Sequence, residues 1–495
     1  MLLLGIDVGT SSIKVSVVDS HTQQCIASAQ FPDTETDIKS VKPGWAEQSA
    51  EMWWDHVQQA IKRIGTNNQI KLNEIGAIGI AYQMHGLVVV DKDQKVLRDS
   101  IIWCDSRAVH FGEMAFKAIG EQNCLSHLLN SPGNFTAAKL AWVKENEPSV
   151  YRSIATIMLP GDYIAMKLTG EVTTSSSALS EGVLWDFQKD GLSDEVINYF
   201  QFDRSYIPNV NPVFSEHGHL QKQVADSLGL KQGIPVTYKA GDQPNNALSL
   251  NVLNPGEVAA TAGTSGVIYG VSDQLAYDKQ SRVNTFAHVN HASNQKRLGV
   301  LLCINGTGIL NRWVRDNIAP DMSYKKIDEA ALKIAPGSNG LYILPFGNGA
   351  ERMLNNKIIG CHFHGIDLNI HTRAHIFRAA QEGIAFAFRY GLDIMRENGM
   401  NPTIIRAGRS NMFLSRLFTE AFVNATGVPV ELYESDGSVG AAIGAGIGAK
   451  VFANEHEAFS KMKPLQLIEP GNCETYNTLY QEWKAVLEMH LSEGV

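Results

Sequence analysis

The spacing of apolar residues predicts alternating strands and helices, opening with strand–turn–strand. Leu2 to Ile6 is an apolar run of buried-strand character, and after the turn Gly9-Thr10-Ser11-Ser12, Ile13, Val15 and Val17 alternate with Lys14, Ser16 and Val18, the period of a second strand. A Walker loop or a dinucleotide fingerprint would run from strand into helix and carry more glycines at fixed offsets. The pattern returns at Glu257–Val271: a small apolar strand, the turn Gly263-Thr264-Ser265-Gly266, then Val267-Ile268-Tyr269. Two such hairpins about half a chain apart predict a duplicated fold with one such turn in each half.

The remaining pattern fills in both halves. Ser49 starts a helix with Trp53, Val57, Ile61 and Ile64 on one face. Strands are predicted at Ile75–Ala81, Leu87–Val90 and Ile101–Trp103, and helices at Ala137–Glu145 and from Leu159-Pro160-Gly161 to Thr169-Gly170. Residues 31–41 and 170–215 read as irregular, and the latter stretch suggests no chemistry. A strand at Pro235–Ala240 delivers Gly241-Asp242-Gln243 into a helical Asn245–Leu250. The turn cluster Leu253-Asn254-Pro255-Gly256 marks a boundary, giving domains of 1–253 and 254–495. Beyond it lie strands at Leu341–Phe346 and Thr403–Ala407, an amphipathic helix at Thr372–Glu397, and a helix at Ser415–Thr426 closed by Gly427. The small-residue run Ser438–Ala449 predicts a helix packed closely on a neighbour.

Composition narrows the class. With 495 residues, 44% hydrophobic and 19% charged, the chain has the make-up of a soluble globular enzyme. A net charge of −9 without a Lys/Arg block argues against nucleic acid and anionic membranes as partners. Six scattered cysteines without CxxC pairs fit reduced thiols, not a disulfide framework or zinc site. The three N-terminal leucines lack a basic flank and no stretch is long enough to span a bilayer, so the expected location is the cytoplasm.

The two hydroxylated turns suit phosphate: glycine lets backbone N–H groups approach an anion, and Thr10, Ser11, Thr264 and Ser265 add donors. Asp7, at the end of the first strand, is placed to hold a metal ion beside the phosphate. Asp242 follows a strand and precedes Pro244, so it is either a helix N-cap or a base accepting a proton from a substrate hydroxyl. Gln83, Met84, His85, Trp103, Asp105 and Arg107 gather donors, acceptors and an indole near two strand ends, the lining a polyol needs. The start of the small-residue helix, Asp436-Gly437-Ser438, is placed to face a nucleotide. The turn Ala407-Gly408-Arg409-Ser410-Asn411 would let an adenine lie against the backbone.

Taken together, GIDVGTSSIKVSVVD, PGWAEQ, QMHG, WCDSR, the Gly-Asp pair after a strand, and AGTSGV resemble the FGGY family of carbohydrate kinases, from residue 5 to about 448. FTAAKLAWVKEN (Phe135–Asn146) is similar to the family's first signature segment, and Phe363–Ile366 with His375–Glu382 to the second, Gln381 standing where an apolar residue is usual. QMHG with WCDSR is most like the family's xylulokinases. The resemblance implies an α/β, duplicated actin/Hsp70/hexokinase-like (ribonuclease H-like) fold with two domains around a deep cleft. It implies ATP-dependent phosphorylation of D-xylulose with Mg²⁺. Asp242 would be the base, Asp7 would bind the hydrated metal, and Met84 and His85 would touch the sugar. Trp103, Asp105, Arg107 and Gln243 would complete the sugar site. Thr10, Ser11 and the turn Gly263-Thr264-Ser265 would hold phosphates, with Gly306, Gly408, Arg409 and Asn411 near adenosine. A homodimer is left open. Gln243 replaces the usual xylulokinase Asn, as in glycerol kinases, and Met353-Leu354 replace Thr-Pro after Glu351-Arg352. Another polyol (L-xylulose, ribulose, a heptulose or glycerol) is therefore the nearest alternative. A non-catalytic nucleotide-binding protein of the actin/Hsp70 type is the second. A Rossmann dehydrogenase is disfavoured, because the first glycine turn enters a strand.

Overall fold

Each half of the chain is built on the same order of five strands. The computed structural model describes residues 1–66 and 70–493. In the first half, β1 (Leu2–Val8), β2 (Ile13–Asp19), β3 (Gln24–Phe31), β4 (Ile75–Tyr82) and β5 (Val236–Gly241) form a sheet in the order β5-β4-β1-β2-β3. β1, β4 and β5 run parallel, while β2 and β3 are antiparallel additions. The second sheet contains β6 (Glu257–Ala262), β7 (Gly266–Ser272), β8 (Asn284–Ala287), β9 (Leu298–Ile304), β10 (Ile404–Gly408), β11 (Val430–Tyr433) and β12 (Gln466–Ile468). Its order is β8-β9-β7-β6-β10-β11-β12. Without the edge strands β8 and β12, the inner five repeat the first sheet, strand senses included. The fold is the duplicated actin/Hsp70/hexokinase-type α/β fold.

The two sheets are tied by a helix that crosses between them. Gly437–Gly448 follows β11 of the second sheet, yet packs on β1, β4 and β5 of the first. Small residues on both sides allow this approach. A Cβ on Gly5 would lie 1.8 Å from the Ser438 carbonyl oxygen, and one on Gly79 2.0 Å from that of Ala441. The close packing expected of the small-residue run is therefore found, and its neighbour is the first sheet.

Elsewhere the differences from the sequence pattern have physical causes. The strand expected at Ile101–Trp103 is only Ser100–Ile101, and Trp103 sits in the turn beyond it, 53% exposed. The stretch 170–215 holds short elements, among them the helices Ser176–Glu181 and Asp194–Phe200. The Arg373–Glu397 helix is buried on most sides, including Gln381 and Glu382, because the Arg416–Thr426 helix, the Tyr342–Phe346 strand and the Cys473–Glu493 helix all pack against it. Among the described residues no helix is long and apolar enough to cross a membrane.

Candidate active site

The parallel strands bring three sequence segments level. Asp7 on β1 pairs in register with Ala81 on β4, which pairs with Ala240 on β5. The residues just beyond, Gln83-Met84-His85 and Asp242, therefore emerge together at the carboxyl ends of adjacent strands, where open α/β sheets carry their sites. Asp242 is the first residue of its helix, and Gly241 is the N-cap. The capping alternative for Asp242 is thereby excluded. The neighbouring polar groups of Gln243 favour its charged form, but burial outweighs them and raises its pKa to about 6.

Asp7 lies between two further acids. Burial, then the charge of Asp242, then that of Asp436 raise its pKa to about 7, against the opposing charge of Lys14. Asp436 caps the Gly437–Gly448 helix through a 2.9 Å bond from Ser438 N–H, and forms an ion pair with Lys14. The helix end sits directly on Asp7: a Cβ on Gly437 would be 2.2 Å from Asp7 Oδ2. Asp7 and Asp242, partly shielded acids with raised pKa values, are hard oxygen donors of the kind that a divalent cation takes. Among the described residues no three His, Cys, Asp or Glu side chains form a complete metal cage.

On the first-half side, Met84 packs against Gly241, where a Cβ would meet its Cγ at 2.6 Å. The His85 side chain is 15% exposed. Burial, with the charges of Lys139 and Arg352, lowers its pKa to about 3, so the ring is neutral. The indole of Trp103 donates to Thr10 Oγ1 (3.0 Å), which in turn donates to Gln83 Oε1 (3.2 Å). Gln48 holds the same turn through the Thr10 carbonyl (2.8 Å). The Thr10 hydroxyl is thus engaged with the Trp103 side of the site, leaving its backbone and the exposed Ser11 for an anion. Asp105 and Arg107 differ from the expected pocket lining. Both are buried and paired at 2.7 Å, Asp105 also accepts Ala46 N–H, and Arg107 lies 3.7 Å from the Trp45 ring centroid. Their charged atoms face each other and the scaffold.

In the second half, Gly263, Thr264 and Asn411 line one cavity of about 630 Å³ together with Tyr324, Asp328 and Gln381. Ser265 is exposed at the tip of the same turn. Gln381, out of place in the signature, thus has a position on this cavity, where the Ser415 hydroxyl donates to it at 2.6 Å. Gly408 ends β10 beside the cavity, and Arg409 lines an adjoining one of about 380 Å³. Gly306 is buried, its N–H donates to Glu351 Oε1 (2.9 Å), and a Cβ would lie 1.9 Å from the Pro345 carbonyl oxygen.

Several residues at the site carried no readable local signal. Tyr324 and Asp328 come from a helix with no recognisable motif. Glu181 lies in the stretch read as irregular, yet accepts Tyr82 O–H at 2.7 Å and His85 N–H at 3.2 Å. Lys139, within the Phe135–Asn146 segment, is fully buried and donates to the His85 carbonyl at 2.7 Å.

Comparison with known proteins gives the family. Residues 2–249 match the model of the FGGY family of carbohydrate kinases, N-terminal domain, and residues 258–449 that of the C-terminal domain. A xylulose kinase of Escherichia coli (strain K12) is 27% identical, over 97% of this chain and 99% of that protein. The crystal structure of xylulose kinase from Rhodospirillum rubrum superposes with a TM-score of 0.89 at 25% identity, covering 99% of both chains. Plasmodium falciparum glycerol kinase with ADP gives a TM-score of 0.88 at 19% identity, over 99% of this chain and 98% of that one, a likeness of fold.

Proposed function

The chain belongs to the FGGY family of carbohydrate kinases, and from that premise we propose that it transfers the terminal phosphoryl group of ATP to the 5-hydroxyl of D-xylulose, giving D-xylulose 5-phosphate. The observation that carries this reading is the level register of Asp7, the Met84-His85 corner and Asp242 across three adjacent strands. Residues 1–253 bind the sugar and supply the base; residues 254–495 bind most of the nucleotide. The activity is assigned to the cytoplasm, where ATP is available.

Asp242 accepts the hydroxyl proton as the bond to the leaving group breaks. A carboxylate is a weak base toward a sugar hydroxyl, so it acts late. That suffices in phosphoryl transfer, where positioning and charge neutralisation carry most of the catalysis. Mg²⁺, when bound, neutralises charge on the phosphate oxygens. Asp7 would hold the ion. The two turns at Thr10-Ser11 and Gly263-Thr264-Ser265 grip the phosphates through backbone N–H groups, and Asn411, Gly408 and Arg409 lie against adenosine. Neutral His85 and Met84 contact the sugar, Trp103 covers its C–H face, and Gln243 reaches a hydroxyl. Closure of the two halves excludes water and limits wasteful ATP hydrolysis.

Gln243 in place of Asn favours a second reading, a kinase for another ketose or for glycerol. A panel of D-xylulose, L-xylulose, ribulose, a heptulose and glycerol, followed by coupled ADP release, separates the two. Sugar-stimulated ATP turnover with D-xylulose preferred supports the proposal. Preference for another polyol replaces the substrate, and no stimulation by any of them returns the chain to a non-catalytic nucleotide binder.

A further inference from the structure

His85 has a backbone conformation that few side chains adopt, and two buried side chains hold both of its backbone polar groups. Its φ is +62°, in the left-handed region, which is uncommon for a residue with a side chain. The Lys139 ammonium, from the helix Thr136–Asn146, donates to the His85 carbonyl at 2.7 Å. The Glu181 carboxylate, at the end of the Ser176–Glu181 helix, accepts the His85 N–H at 3.2 Å and is itself steadied by Tyr82 O–H at 2.7 Å. Both backbone polar groups of one residue are thus taken by side chains from two separate helices.

The ring is fixed by the same neighbour. His85 Nδ1 lies 3.0 Å from the Glu181 carbonyl oxygen. A carbonyl only accepts, so Nδ1 carries the proton and Nε2 is the acceptor of the neutral imidazole. Phe135 and Phe286 flank the ring, at centroid distances of 4.8 and 5.4 Å. Among the described residues Nε2 has no protein partner.

We infer that Lys139 and Glu181 are positioning residues for sugar recognition, acting through His85: they hold its backbone left-handed and its Nδ1 protonated, so that Nε2 is a fixed acceptor for one sugar hydroxyl. The inference rests on the reading that His85 touches the sugar. It gives a role to the lysine of the Phe135–Asn146 segment and to an acid from the stretch 170–215. It also accounts for a lysine and a glutamate buried beside a sugar site without either reaching the sugar.

The test is a pair of double-mutant cycles. Lys139→Met and Glu181→Met are each made alone and with His85→Ala, and KM is measured for sugar and for ATP. Each single variant is expected to raise the sugar KM about tenfold, the scale of one neutral hydrogen bond, with the ATP KM within about twofold. Each double variant should be no worse than His85→Ala alone. Glu181→Gln should restore near-normal behaviour, because its amide oxygen can still accept the His85 N–H while its NH₂ group meets the Tyr82 oxygen. Nitrogen NMR of the wild-type protein should show His85 protonated at Nδ1. A further sugar-KM rise in either His85→Ala background, or a proton found on Nε2, overturns the inference. Failure of the underlying reading looks different: His85→Ala itself would leave the sugar KM unchanged. If one methionine variant does not fold, the other cycle and the wild-type NMR measurement decide.

Discussion

Replacing Asp242 by Asn tests the proposed chemistry with the least structural disturbance. The amide has nearly the volume of the carboxylate, and the residue opens its helix without capping it. What is lost is proton acceptance. Burial sets the carboxylate pKa at about 6, nearer to neutrality than a free Asp and correspondingly more basic. Removing a positioned general base costs about 10²–10⁴ in rate, or about 3–5.5 kcal/mol of barrier at 1.36 kcal/mol per decade. The loss should fall on kcat, with the sugar KM changed by less than about threefold, because the binding contacts to the sugar are assigned to Met84, His85, Trp103 and Gln243, which the substitution leaves in place. Coupled ADP release at saturating sugar measures kcat; single-turnover phosphoryl transfer separates chemistry from product release; ATP turnover without sugar gives the baseline. The sign of the pH effect follows from the raised pKa. Activity needs the carboxylate, so wild-type kcat/KM for sugar should rise with pH through about 6, and the residual rate of the Asn variant should lack that limb. A variant retaining kcat within about tenfold of wild type, or keeping the same acid limb, refutes the role given to Asp242.

Three other outcomes follow from named contacts. Gly5→Ala places a methyl group 1.8 Å from the Ser438 carbonyl oxygen; overpacking of about 1–3 kcal/mol should lower the melting temperature by several degrees in a thermal scan. Lys239→Met removes the partner of buried Asp162, now 2.6 Å away, and the uncompensated acid should cost about 3–5 kcal/mol in urea unfolding. Lys14→Met deletes the one cation that lowers the Asp7 pKa, already about 7. Asp7 then takes up a proton at higher pH, so the Mg²⁺ concentration for half-maximal rate should rise more just below neutrality than in mildly alkaline buffer.

Those parts of the fold whose sequence period matched their burial were legible. The helix Ala50–Gly65 buries Trp53, Val57, Ile61 and Ile64, the residues its period singled out, and Ser49 caps it. The twin hairpins announced the duplication because each pairs a buried strand with a small hydroxylated turn. β3 was missed because it is an edge strand with much of its surface exposed and little apolar alternation. The Arg373–Glu397 helix read as amphipathic, since its buried Arg378 and Glu382 are polar by type but neutralise each other at 2.8 Å inside the core. At the site, strand-end residues such as Asp7, His85 and Asp242 were visible because topology alone brings strand ends together. Glu181 and Asp328 were not, because their importance comes from contacts with segments distant in sequence.

The duplication also explains why one acid is free to act as a base. Asp242 opens the helix after β5, and Asp436 caps the equivalent helix after β11, so the two acids are related by the internal repeat and both bear on Asp7. Each helix packs on the second strand of the opposite half: Gly437–Gly448 on β2, and Asp242–Ser249 on β7. In the first hairpin the residue opposite Asp7 is Lys14; in the second, the residue opposite Thr261 is Val267. Lys14 therefore crosses to Asp436 and holds its pKa below the usual range, whereas the matching position facing the Asp242 helix offers only a valine. The repeat is symmetric in backbone and asymmetric in charge at this pair of positions. One copy of the acid is neutralised as a helix cap; the other has no ion-pair partner among the described residues and keeps the raised pKa that suits a proton acceptor.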